Sequence, residues 1–113
     1  MTQLKETYFG GCWEGLIVIA TPNELTAALG EPHYTCKCNG ASKTSMEWKF
    51  AFGDNDTTYF AIYDWREYGH RPVNHPDDVY TFHIGVKTAN DHQAIKRVLE
   101  ERGLSVMSMS EKF

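Results

Sequence analysis

The chain has 113 residues, 42% hydrophobic and 23% charged, with a formal net charge of −4, a size and composition that fit one globular α+β domain around a single core. An acidic balance gives no basic footprint for neutralising phosphates, so direct binding to DNA or RNA is not expected. The acid excess is also too small and too interspersed with Lys and Arg for the surface to imitate DNA except as a local patch.

Residues 1–11 are mostly polar, with an aromatic pair, Tyr8 and Phe9, before a Gly10-Gly11 break, and read as a short strand or an arm that docks late. Cys12 to Ala20, CWEGLIVIA, closes on the β-branched run Leu16 to Ile19 and reads as a buried strand. Thr21-Pro22-Asn23-Glu24 is a helix start. Thr21 and Glu24 have the spacing of a capping box, and Pro22 sits in the first turn, where its missing N–H is harmless. Leu25, Ala28 and Leu29 form the inner face of that helix, Gly30 caps it and Pro32 stops it. Glu31 to Ser45, EPHYTCKCNGASKTS, is rich in small and turn-forming residues and reads as an exposed loop.

Met46 to Trp65 is a β-hairpin on which the rest of the chain packs. Met46, Trp48, Phe50 and Phe52 alternate with Glu47, Lys49 and Ala51, the period-two pattern of a strand with one buried face. Gly53-Asp54-Asn55-Asp56 forms the turn, since these residues tolerate positive φ. The second strand has Phe60 and Ile62 on one side and Tyr59, Ala61, Tyr63 and Trp65 on the other, which predicts a central position in the sheet. Arg66 to Asp78, with Gly69, Pro72 and Pro76, is a second long loop. Val79 to Val86 alternates again and is a strand. A second helix follows, with Asn90 and Gln93 as its capping box and an apolar stripe of Ala94, Ile95, Val98 and Leu99, and it ends at Gly103. The tail can add an edge strand through Leu104, Val106 and Met107, and such an edge could pair two protomers into a homodimer. The order β-α-β-β-β-α predicts a mainly antiparallel sheet with two helices packed on one face.

No apolar run approaches the roughly 20 residues of a membrane helix, and the N-terminus lacks the layout of a signal peptide, so a cytoplasmic protein is expected. The three cysteines, Cys12, Cys36 and Cys38, are odd in number, and two of them are separated by one residue, which argues for reduced thiols. His33, Cys36 and Cys38 could give three ligands to zinc, with a fourth from Cys12, His70 or His75, although Cys-x-Cys is less typical of structural zinc than Cys-x-x-Cys. No bound metal is expected, and no cofactor. His70, His75 and His83 with Asp77 and Asp78 allow a metal-dependent enzyme to be imagined, but their spacing matches no catalytic motif, and no GxSxG, Walker or dinucleotide glycine pattern is present. Asp54, Asn55 and Asp56 lack the later glycine and terminal glutamate of a calcium loop and read as turn residues. Asp64, between large aromatics, is expected at the strand end, solvated or paired with Arg66 or Arg71.

The three Trp, six Tyr and six Phe are many for a domain of this size. Tyr, Trp and Arg dominate binding hot spots, and they converge at the exit of the hairpin. The expected partner-binding surface is therefore Tyr59, Tyr63, Trp65, Arg66, Tyr68 and Arg71, with Asp54 and Asp56 at its rim.

The WEGLI strand, the TPNELTAALGEP helix, the EWKF and YFAIYDW strands and an FHIG strand leading into the helix through Ala94 to Leu99 resemble small proteins encoded by bacteriophages and prophages. The likeness is one of pattern over Trp13 to Leu104, and FHIGV departs from the tryptophan-containing form of its strand. The resemblance implies a phage origin and a role in the bacterial host cell, often the neutralisation of a defence system, and assigns no catalytic residues. The leading expectation is a small non-enzymatic protein that binds and inhibits a host protein or complex, most concretely an anti-CRISPR or other anti-defence inhibitor. The alternatives are a sponge that sequesters a nucleotide signal, stacking it on aromatics while Arg71 or Lys87 pairs with its phosphates, and a small metal-dependent enzyme using the His and Cys loops.

Overall fold

A computed structural model of the chain describes residues 2–7, 13–35, 45–64, 71–87 and 91–108. The elements run β1 (Lys5–Glu6), β2 (Trp13–Ala20), α1 (Pro22–Leu29), β3 (Tyr34–Thr35), β4 (Met46–Phe52), β5 (Thr58–Tyr63), α2 (Arg71–Asn74), β6 (Tyr80–Val86), α3 (His92–Glu101) and β7 (Val106–Ser108), with a 3-10 turn at Asp54–Asp56 between β4 and β5. The seven strands form one sheet in the order β1-β4-β5-β6-β2-β7, with β3 pairing β4 alongside β1, and every pairing is antiparallel.

The α+β class and mainly antiparallel sheet agree with the sequence pattern, and the β-α-β-β-β-α order with two helices is matched only roughly, by β2, α1, β4, β5, β6 and α3. The described residues contain three helices, because Arg71–Asn74 winds into a single turn inside the second long loop. They also contain two further strands, β1 and β3, of two residues each, and β3 lies inside the Glu31 to Ser45 stretch expected to be loop. Two residues are too few to print a period on a sequence.

Side chains at even positions of β2, β4, β5 and β6 point to one face and form the core with α1 and α3. Leu16, Val18, Trp48, Phe60, Ile62, Phe82 and Ile84 lie against Leu25, Ile95, Val98 and Leu99. Trp48 meets Phe82 edge-on at 6.2 Å, and Phe60 contacts both Phe50 and Phe52, geometries that suit the aromatic quadrupole. The Trp48 indole N–H finds its acceptor in the Gly30 carbonyl at 2.9 Å, which fastens the end of α1 to the sheet.

Helix α1 starts as its sequence dictates. Thr21 Oγ1 accepts from the Glu24 backbone N–H at 3.0 Å, and Glu24 Oε1 accepts from the Thr21 N–H at 2.9 Å. Helix α3 differs from expectation: it begins at His92 behind Asp91, which makes no side-chain cap, and Asn90 lies outside the described residues. Ile95, Val98 and Leu99 are buried as the stripe requires, whereas Ala94 is exposed. The tail forms β7 on the β2 edge, with Leu104 and Val106 buried. Among the described residues no helix is long and apolar enough to cross a membrane.

Candidate functional site

Odd-numbered positions define the opposite face of the sheet. One row across it runs Tyr34, Glu47, Tyr63, His83, Ile17 and Met107 by direct pairing, and another runs Lys5, Ala51 and Tyr59. This is the face on which the hairpin aromatics were expected to meet a partner. Ile17, Ala51 and Ala61 on it are only 1% exposed, and Tyr63 is buried and stacked on His83 at 5.7 Å. Tyr59 is half-buried, with Lys87 Nζ 4.6 Å above its ring.

The expected contact residues therefore divide. Tyr59 lies by the hairpin turn with Asp54 and Asp56, where Asp56 meets Lys5 at 3.4 Å. Tyr63 lies at the other end of β5, roughly 13 Å away at about 3.3 Å per residue. Arg71 is engaged by Asp78 at 2.7 Å, and that hydrogen bond and charge raise its pKa above the ordinary value, so it is a cation already paired. Trp65, Arg66 and Tyr68 lie outside the described residues, as do Cys12, Cys36, Cys38 and His70. The described residues hold no group of three metal-capable side chains.

Asp64 is a correction. Expected at the surface, it is fully buried and accepts three hydrogen bonds, from Ser45 N at 2.7 Å, Ser45 Oγ at 2.6 Å and Met46 N at 2.9 Å. A carboxylate in a core persists only with such donors, and here they lie one strand away, at the start of β4. Asp64 thus ties the open end of the β4–β5 hairpin.

The site that emerges instead is on the edge of β4 opposite β5. Strands β1 and β3 both pair with this edge, β3 opposite Met46 and Glu47 and β1 opposite Phe50 and Ala51. Between them is a cleft of about 620 Å³ lined by Glu6, Thr7, His33, Tyr34, Glu47 and Lys49. His33 organises it. Its backbone N–H donates to the Glu47 carbonyl at 2.8 Å, and its Nδ1 accepts the Lys49 backbone N–H at 2.9 Å. The Lys49 carbonyl accepts from Thr7 N at 3.3 Å. An imidazole nitrogen so stands where a strand carbonyl would, and both main-chain groups of Lys49 are satisfied although neither short strand reaches across. The ring also meets Phe50 edge-on at 4.9 Å.

Because Nδ1 accepts, the imidazole carries its proton on Nε2, 3.4 Å from Glu6 Oε1. In this form His33 has no lone pair to offer in the cleft, either to a metal or to a substrate proton. The remaining walls are charged or aromatic: Glu6 is 80% exposed at its side chain, Lys49 Nζ is 3.7 Å from Glu47 Oε1, and Tyr34 is 39% exposed. This cleft was missed in the sequence because four of its lining residues, Glu6, Thr7, His33 and Tyr34, lie in or beside strands too short to show a period.

Comparison of the chain with protein-family models, with curated proteins and with solved structures gave no match.

Proposed function

We propose that the chain is a phage- or prophage-encoded binding protein that docks on a host protein or complex and inhibits it, neutralisation of a CRISPR-type defence being the most concrete form. The observation that carries this reading is the role of His33. The imidazole of the cleft is held by Lys49 N–H as a structural acceptor, leaving a pocket that offers charge, hydrogen bonds and an aromatic ring rather than an acid–base pair. The pattern shared with small bacteriophage proteins supports the same class. The docking surface in this reading is the β4 edge around Tyr34, since Tyr63, Ala61 and Ala51 on the odd-numbered face are buried. Affinity capture from bacterial lysate, with identification of the retained proteins, tests the class. A stoichiometric host protein is the expected result, and its absence across defence-proficient strains would remove the reading.

The size of the cleft and its exposed Tyr34 favour a second reading, sequestration of a small signalling molecule stacked on that ring. Heating and filtering the purified protein separates the two, because a sponge releases a small molecule into the filtrate.

A further inference from the structure

We infer that the cleft on the β4 edge is a receptor for one basic side chain, an arginine for preference, presented by the partner; the inference rests on the protein-binding reading above and specifies its chemistry. Charge complementarity carries it. With His33 holding a single ring proton, the lining contains two carboxylates, Glu6 and Glu47, against one ammonium, Lys49. Lys49 already lies at 3.7 Å from Glu47, so an incoming anion would compete with a carboxylate for the one lysine among the described lining residues. An incoming cation meets the opposite situation. Glu6 contributes a carboxylate whose side chain is 80% exposed, and His33 Nε2, 3.4 Å away, does not cancel its charge while the ring holds a single proton.

The geometry also favours guanidinium over a point charge. Tyr34 is 39% exposed and in register with Glu47, and Thr7 and Glu6 line the cleft from the end of β1. A planar guanidinium can lie against a tyrosine face while giving paired N–H groups to a carboxylate, which an ammonium cannot do. The nearest exposed lysine on β1, Lys5, is turned to Asp56, leaving the Glu6 side of the opening without a second cation among the described residues. The overall charge of −4 adds long-range attraction toward a basic surface, the kind that nucleic-acid-handling proteins expose.

The test uses the full-length protein and a tripeptide probe, Gly-Arg-Gly with blocked ends, followed by amide chemical shifts. Saturable shifts are expected at Thr7, Tyr34 and Lys49, with affinity falling about tenfold when arginine is replaced by citrulline or when Glu6→Gln and Glu47→Gln are combined. Glu101→Gln, exposed on α3 and not among the lining residues, should change nothing. Both carboxamide variants preserve side-chain size, and circular dichroism confirms that they fold. Equal binding of Gly-Glu-Gly, equal binding of the citrulline peptide, or no shift at those amides with Gly-Arg-Gly overturns the inference. A captured host protein that binds the double variant as well as it binds wild type also overturns it while leaving the protein-binding reading intact; failure to capture any partner removes that reading instead.

Discussion

His33 Nδ1 accepts the backbone N–H of Lys49 at 2.9 Å, so a side chain sixteen residues away in sequence completes the edge of a strand. Neither β1 nor β3 pairs with Lys49, so among the described residues the acceptor for that N–H is the His33 ring. His33→Ala should lower stability by about 1 kcal/mol, since water can reach the vacated edge. Hydrogen exchange at the Lys49 amide should accelerate by more than the global change in stability accounts for. An exchange rate that follows global stability alone would show that the imidazole does not hold this edge.

Asp64 predicts a larger effect. Asp64→Ala leaves Ser45 N–H, Ser45 O–H and Met46 N–H without their acceptor in a fully buried site, at a cost of about 3 kcal/mol or more. Asp64→Asn keeps one oxygen as an acceptor and can turn its amide toward Ser45 Oγ, so its loss should be smaller, about 1–2 kcal/mol. Urea denaturation of both variants measures the difference, and equal losses would mean that hydrogen bonding is not what retains the carboxylate.

Gly15 occupies an irregularity in the β2–β6 register between Glu14 and Leu16, and the imidazole of His92 lies directly over it. A β-carbon at position 15 would overlap His92 Cε1. Gly15→Ala should therefore destabilise by about 1–3 kcal/mol, as overpacking does. Adding His92→Ala should recover much of that loss, because the two changes meet at one contact and will not be additive. A double variant no more stable than Gly15→Ala alone would place the strain elsewhere.

The capping box of α1 gives a simpler check. Thr21→Ala removes the acceptor for Glu24 N–H, and thermal unfolding should register a loss of about 1 kcal/mol.

Much of the fold was legible because it is written in period. Met46, Trp48, Phe50 and Phe52 alternate over a strand with one buried face, Phe82 and Ile84 repeat the rule in β6, and Thr21 and Glu24 name a helix start through contacts three residues apart. Local signals of this kind survive into the structure because the same residues make them in both descriptions. Asp64 was misread for the opposite reason. Its burial depends on donors from Ser45 and Met46 that only the strand pairing brings near, and a carboxylate beside aromatics otherwise reads as surface. The cleft was hidden similarly: Glu6, His33 and Lys49 are far apart in sequence and meet only because β1 and β3 share one edge of β4. The alternation of β5 correctly put Tyr63 on the face away from the helices, but alternation does not say whether a face is covered, and Tyr63 stacks on His83.

The central claim is that the protein acts by binding a host protein through the β4 edge. Its most direct measurement is parallel affinity capture from bacterial lysate with the wild-type chain and the Tyr34→Ala variant, after confirming that both fold. The account predicts one host protein retained in stoichiometric amount by wild type and markedly reduced on the variant. Equal retention by both, or a small molecule released on heating with no retained protein, would contradict it.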